Sequence, residues 1–204
     1  MSEVKSKELE NSKNGRGASE LTRLLGKQPI MRRQWAMPNS ETFNINPIRE
    51  LVNKYIEASD VSVDPFARNT SYATYRNNLN PDTKAEYNMH AVDFIKRMLE
   101  DGVQADLVIF DPPYSPHQTK ECYDGFGINM KYEDDARHGW YKTRAAISQL
   151  LVNGGICLSF GWDTVGIGKK RGFQIIEILI CCHGIGHNDT ICTVEAKTQG
   201  ELFT

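Results

Sequence analysis

The sequence predicts one α/β domain built on a doubly wound, mostly parallel sheet with an antiparallel hairpin at one edge. Short β-branched runs alternate with segments of helical period, as in parallel sheets. One run, 105–110 (ADLVIF), is apolar throughout, as expected for a strand buried on both faces. Two final strand-like runs are joined by a short glycine-containing link, 183–189, which indicates an antiparallel pair.

The elements follow one another in a regular order. Residues 47–56 place apolar side chains at helical spacing behind a proline suited to the first turn of a helix. Ligands bind beyond the carboxyl ends of the strands in such sheets, so the turns after the strands should share one rim. The other predicted elements are strand 61–66, helix 91–99, strand 105–110, helix 145–151, strand 154–160, strand 173–182 and strand 190–195.

Composition indicates an ordinary water-soluble domain. Residues 1–28 are polar and charged and are predicted to be a flexible tail, and residues 29–204 to form the domain. No apolar run approaches the roughly 20 residues that span a bilayer, so we expect a cytoplasmic protein with no membrane partner. The five cysteines show no C-x-x-C spacing, which predicts reduced, buried thiols and no metal site.

The clearest chemical pattern is Asp111-Pro112-Pro113-Tyr114, which directly follows the apolar strand 105–110. Two successive prolines fix the backbone and offer no N–H, so this turn is rigid and presents acceptors only. The Asp111 carboxylate and a proline carbonyl, with Pro112 the better candidate, could accept both hydrogens of an exocyclic amine. Tyr114 offers a face for base stacking, worth about 1–3 kcal/mol. The pattern predicts a catalytic turn; a plain proline-rich turn with a capping Asp is the alternative.

With this turn in place, the chain resembles the amino-methyltransferases of nucleic acids, and in particular the small phage- and prophage-type adenine-specific DNA methyltransferases. The resemblance covers residues 31–195 and is most specific at DPPYSP and SFGW. It implies a Rossmann-like methyltransferase domain of class I, S-adenosylmethionine as cofactor, and methylation of adenine N6 in DNA. A base inside a duplex cannot reach such a pocket, so the adenine is expected to flip out. A homodimer is left open.

The resemblance also carries cofactor-binding roles onto matching positions. In this resemblance, Phe43 and Pro47 before the first family strand, and the turn Asp64–Ala67 after it, would hold the methionine end of S-adenosylmethionine. Asn78 would bind the ribose, and Asp93 and Phe94 would flank the adenine ring. Arg68, Asn78 and His90 depart from the family pattern, which has glycine or acidic residues there. The matching cofactor positions are Phe43, Pro47, Asp64, Phe66, Ala67, Asn78, Asp93 and Phe94.

Two further segments are expected on the substrate side. Residues 115–141 show no clear period and are predicted to be an irregular lid or substrate loop. Its aromatic residues face DNA or pack the loop down, two equally supported possibilities. Trp162, His187 and Asn188 are predicted to lie near the base pocket.

Two other functions stay open at the level of sequence. Related D-P-P-Y and N-P-P-Y enzymes methylate amino groups of adenine or guanine in RNA. A non-catalytic, methyltransferase-like binding module is the other alternative, motivated by the three departures on the cofactor side. Basic clusters near residues 16–33 and at 169–171 contact phosphates in one interpretation and are solvated faces in the other.

Overall fold

The structure is a computed structural model that describes residues 27–128 and 139–198. The predicted tail, apart from its last two residues, lies outside this range. The strands are β1 Ile30–Trp35, β2 Ser62–Asp64, β3 Tyr75–Arg76, β4 Ala105–Phe110, β5 Leu151–Gly161, β6 Phe173–Cys182 and β7 Thr190–Lys197, and the α-helices are α1 Asn46–Ile56, α2 Ala91–Glu100, α3 Pro116–Gly125 and α4 Tyr141–Leu150.

The strands form one sheet in the order β1-β6-β7-β5-β4-β2-β3. All neighbours are parallel except at β7, which runs antiparallel to both β5 and β6. The predicted mostly parallel sheet with an antiparallel pair formed by the last two strands is therefore confirmed, but the predicted place of this hairpin at an edge of the sheet is wrong, because β7 lies between β5 and β6. The carboxyl ends of the parallel strands lie at one edge, together with the β6–β7 link.

Helices cover both faces of the sheet, which confirms the doubly wound prediction. On one face, Ile48, Leu51 and Val52 of α1 pack against β4, β5, β6 and β7. On the other, α2 and α4 pack against β2, β4 and β5, with Phe94 and Ile147 fully buried. The apolar stripes predicted from helical spacing are the faces that the sheet buries. No helix in the described part of the chain is long and apolar enough to cross a membrane.

Strand β1 was not predicted from the sequence, because its exposed residues and its two arginines hide a strand pattern. It pairs with β6, so β1 rather than the hairpin forms this edge of the sheet. Opposite it, the buried carboxylate of Glu177 accepts hydrogen bonds from Arg32 (2.5 Å), Lys54 (2.7 Å) and Tyr55 (2.8 Å). These polar contacts link β1 and α1 to β6. A pattern of apolar residues in the sequence does not predict contacts of this kind.

The predicted irregular loop 115–141 contains helix α3, and this part of the prediction was wrong. Ser115 caps the helix by accepting the N–H of Gln118 (3.2 Å), and Pro116 occupies its first turn. A serine cap followed by proline is a helix-start signal that the lack of apolar period masks. Residues 129–138, including the aromatic residue Tyr132, lie outside the described chain.

A buried carboxylate anchors the loop between β5 and β6. Glu195 of β7 accepts the N–H of Ile167 (2.5 Å) and of Gly168 (2.9 Å). Gly166 lies so close to this carboxylate that an added Cβ would overlap it, and its φ of 51° is in the left-handed region. The loop that follows β5, with Trp162 at its start, is thereby fixed to the sheet.

We expect Glu195→Ala to lower the free energy of unfolding by about 1–3 kcal/mol, because two buried backbone N–H groups lose their acceptor. Urea unfolding at neutral pH measures the change. Glu195→Gln keeps one side-chain oxygen and should lie between the alanine variant and the wild type. Equal stability of Glu195→Ala and the wild type would show that this anchor contributes nothing.

Candidate functional site

A cavity of about 850 Å³ opens at the carboxyl edge of the sheet. Its size is within the range of sites for small ligands, roughly 300–1,000 Å³. The segments that form its wall follow the ends of β1, β2, β3, β4, β5 and β6, so the parallel sheet itself places them together. The wall draws residues from 38–45, 65–69, 77–83, 89–91, 111–126, 140, 162 and 183–190.

Asp111 lies at the end of β4 and faces the cavity. Its Oδ1 accepts the hydroxyl of Tyr114 at 2.6 Å, and the side chain of Thr42 donates to the same carboxyl group. Loss of water around the carboxyl raises the pKa of Asp111, while these two hydrogen bonds and the charge of Arg68 oppose the rise. The site therefore presents a carboxylate whose charge is only partly compensated by its surroundings.

The two prolines differ in what their carbonyls contact. The carbonyl of Pro113 accepts the indole N–H of Trp140 at 3.3 Å. Within the described chain, the carbonyl of Pro112 accepts no hydrogen bond. Pro112 lines the cavity beside Asp111. Of the two proline carbonyls, that of Pro112 is therefore the one without a hydrogen-bond partner in the described chain.

Aromatic rings flank these acceptors. Tyr114 and Trp162 lie edge to face with ring centroids 5.9 Å apart, and both line the cavity. Trp162 keeps 41% of its surface exposed although it is a large apolar side chain. The ring of Phe66 lies edge to face with that of the buried Trp140, with ring centroids 5.2 Å apart, and forms a further wall of the cavity. These surfaces suit a flat heterocyclic ring.

Asp64 ends β2 and is fully buried behind the cavity wall. Its Oδ1 accepts the N–H of Phe66 at 2.9 Å, whereas Oδ2 has no partner in the described chain. Burial, with a smaller contribution from the charge of Asp111, raises the pKa of Asp64 to about 8. A buried carboxylate oxygen without a partner is costly unless a cation or donor reaches it.

The structure brings most of the predicted site residues to the cavity. Those that line it are Asp111, Pro112, Pro113, Tyr114, Phe66, Asn78, Trp162, His187 and Asn188. Asn78 is nearly buried and accepts the N–H of Asn80 at 3.0 Å, which orders the turn beyond β3.

The remaining predicted cofactor residues do not reach the cavity wall in the described chain. Phe43 packs edge to face between Tyr72 and Phe160, and Pro47 lies in the buried first turn of α1. Ala67 is fully buried and donates its N–H to the carbonyl of Asn77. Together with Asp64, they shape the wall from behind.

Two positions at the start of α2 also lie away from the cavity. Asp93 is on the exposed side of the helix, 4.0 Å from Lys96. Phe94, one position later, points into the core and contacts Tyr87. Met89 and Ala91, just before and at the start of the helix, line the cavity instead, because helical rotation separates neighbouring side chains.

Sequence reasoning missed Thr42 and Arg68 as parts of the site and left Trp140 undecided. Thr42 reaches Asp111 across a long separation in sequence, which no local pattern reveals. Arg68 was expected only as a departure from a glycine pattern, yet it lines the cavity. Trp140 is 4% exposed and contributes mainly packing and its bond to Pro113.

His183 belongs to the structure of the hairpin. One ring nitrogen lies 2.8 Å from the carbonyl of Ala36 and the other 2.9 Å from the hydroxyl of Thr190. Both nitrogens are therefore engaged. No group of three or more potential metal-binding side chains lies close together in the described ranges.

Comparison with known proteins gives distant structural likenesses only. No family model matches the chain. No curated protein matches it either. A protein assigned as a methyltransferase, SMU.776, solved in complex with SAH, is 12% identical, with 72% of this chain and 49% of that chain covered and a TM-score of 0.47.

Two further solved structures are similar at the same level. A protein assigned as a SAM-dependent methyltransferase from Streptococcus mutans is 14% identical, with coverage of 72% and 48% and a TM-score of 0.44. TrmN from Thermus thermophilus is 11% identical, with coverage of 75% and 49% and a TM-score of 0.42. This chain spans about half the length of each of the three proteins, so the chemistry of the site is taken from its own residues.

The titration of Asp64 should appear in the pH dependence of stability. The folded chain keeps a proton on Asp64 up to about pH 8, whereas an unfolded chain loses it near the usual value of 3.8. The free energy of unfolding should therefore fall as the pH rises through this window, by an amount on the order of a few kcal/mol. Asp64→Asn keeps the acceptor for Phe66 and removes the charge.

Urea unfolding of the wild type and Asp64→Asn at pH 5 and pH 8 measures this contribution. We expect the variant to exceed the wild type in free energy of unfolding by a larger margin at pH 8 than at pH 5. Parallel pH profiles of the two proteins would contradict the assigned burial of an uncompensated carboxyl.

Proposed function

We propose that this chain is an S-adenosylmethionine-dependent methyltransferase that methylates the exocyclic N6 amino group of adenine in DNA. The observation that carries the proposal is the arrangement of Asp111, the carbonyl of Pro112 and the Tyr114–Trp162 ring pair around one cavity. Acceptors for two N–H groups stand next to surfaces that suit a purine ring.

The two acceptors match the needs of an aromatic amine. Its lone pair is delocalised into the ring, so the amine is a poor nucleophile when planar. Acceptance of both N–H hydrogens, by Asp111 Oδ2 and by the carbonyl of Pro112, favours the pyramidal form. The rigid proline pair and the hydrogen bond from Tyr114 hold these acceptors in place before the substrate arrives.

The residues on the β2 side fit the proposed cofactor. S-adenosylmethionine supplies a methyl group already activated on a sulfonium sulfur. Phe66 gives an apolar wall and Asn78 an amide for hydroxyl groups. The acidic side chains of Glu41 and Glu121 line the same cavity, so it favours a ligand with a net positive charge. A cationic cofactor matches that field.

Asp111 also provides a place for the proton. Methylation makes the amine strongly acidic, so the proton can leave afterwards and strong base catalysis is not required. The raised pKa of Asp111 favours its acceptance of a proton, which water at the cavity mouth then removes. The side chain therefore serves first as acceptor and then as a transient proton carrier.

DNA is proposed as the substrate through the resemblance at Asp111–Tyr114. Asp111 and the carbonyl of Pro112 line a cavity and do not lie on an open surface, so an adenine would have to leave its base stack to reach them. Digestion of methylated DNA and RNA to nucleosides distinguishes the two polymers. N6-methyladenine in DNA is expected, and methyl groups found only in RNA would replace the DNA proposal with the RNA alternative.

Asp111→Ala should abolish transfer of the labelled methyl group to DNA, a loss of at least about 100-fold, because one of the two acceptors is gone. Binding of S-adenosylmethionine should change by less than about threefold, since the cofactor wall remains. Methyl transfer is followed with labelled cofactor and binding by calorimetry. Equal losses of transfer and binding would assign Asp111 to the cofactor instead.

Tyr114→Phe separates the hydroxyl of Tyr114 from its ring. The hydroxyl donates to Asp111 and holds the pKa of that carboxyl down, against the larger effect of burial. Its removal should move the acid limb of the pH–rate profile to higher pH, because Asp111 must be ionised to accept the amine hydrogen. Above that limb the rate should fall by less than about tenfold, as the stacking face is kept.

The matched variant Tyr114→Ala removes the ring as well and should raise the KM for DNA. A pH profile of Tyr114→Phe that coincides with that of the wild type would show that the hydroxyl does not act on Asp111.

A further inference from the structure

Arg68 occupies an unusual position in the turn after β2. Its φ of 50° lies in the left-handed region of the backbone, which residues other than glycine adopt rarely. It follows the fully buried Ala67 and its side chain lines the cavity. Strained backbone of this kind persists where the surrounding structure enforces it, and such positions cluster at ligand sites.

The guanidinium of Arg68 stands between two parts of the site. Its Nη1 donates to the carbonyl of Ser40 at 2.8 Å, which ties the segment before α1 to the turn after β2. On the other side, its charge acts on the carboxyl group of Asp111. A guanidinium has five N–H donors in a planar fork, and this geometry matches a carboxylate.

The described wall of the cavity carries several acidic side chains and one arginine. Arg68 is the sole lysine or arginine among the described residues that line it. Asp111, Glu41 and Glu121 also line the cavity, whereas Asp64 is fully buried and does not. S-adenosylmethionine carries two positive charges, on sulfur and on the α-amino group, and one negative charge on its carboxylate. The single anionic group of that ligand therefore has a single lysine or arginine of the described cavity wall to pair with, which is Arg68.

We propose that Arg68 binds the α-carboxylate of S-adenosylmethionine through its guanidinium. The assignment rests on the proposed function and deepens it. The residue that breaks the glycine pattern of the family then provides an anion contact rather than weakening the site.

Calorimetry with two ligands tests the assignment on the full chain. Decarboxylated S-adenosylmethionine keeps the adenosine, the sulfonium and the amine but lacks the carboxylate. Arg68→Gln should weaken binding of S-adenosylmethionine by about 10- to 100-fold, the effect of a lost charged hydrogen-bond pair. Binding of the decarboxylated ligand should stay within about threefold of the wild type or become tighter.

Two more variants separate ligand binding from folding. Arg68→Gly removes the guanidinium and also relieves the positive φ, so its melting temperature should equal or exceed that of the wild type. It should nevertheless show the same selective loss for S-adenosylmethionine. Arg97→Gln alters an exposed arginine of α2 that pairs with Asp101, and should leave both affinities unchanged.

The outcomes distinguish the two proposals. Unchanged binding of S-adenosylmethionine to Arg68→Gln overturns the carboxylate assignment alone. Equal weakening of both ligands also overturns it, because Arg68 would then act only by holding Ser40. If the wild type binds neither ligand, the proposed function fails and the assignment falls with it.

Discussion

The parallel pairing of β2 with β4 is the constraint on which the site depends. Val63 lies opposite Val108, so both strands end at the same edge of the sheet. Asp64 is the last residue of β2, and Asp111 is the first residue after β4. The charge of Asp111 contributes to the raised pKa of Asp64. Two carboxyl groups far apart in sequence thereby share one low-dielectric region, which is unfavourable for two negative charges, and Asp64 accordingly keeps its proton up to about pH 8.

The central elements could be predicted from the sequence because burial on both faces leaves a strong local pattern. Strand β4 is apolar along its length, and α1 and α2 carry apolar stripes that meet the two faces of the sheet. Strand β1 could not be predicted in the same way. It is an exposed edge strand whose contacts with Glu177 are polar and come from residues about 145 positions away.

Part of the site was equally accessible to sequence reasoning. The Asp111–Tyr114 turn carries its polar and aromatic groups within four consecutive residues, so its place at the end of a buried strand follows from the sequence, while its catalytic role stays a proposal. The cofactor side depends on rotation and packing instead. Phe94 lies in the core and Asp93 on the surface, since successive helical residues point in different directions. The contacts of Arg68 with Ser40 and of Thr42 with Asp111 arise only on folding.

The central claim is that the acceptors at the end of β4 act on the amino group of adenine in DNA. Its most direct test is nucleoside mass spectrometry, with base-resolution mapping, of DNA from cells that produce this chain. We expect N6-methyladenine at a defined sequence in cells with the wild type and its absence in cells with Asp111→Ala. Unmodified adenine in both samples, although the wild-type protein is folded, would contradict the proposed methylation of adenine.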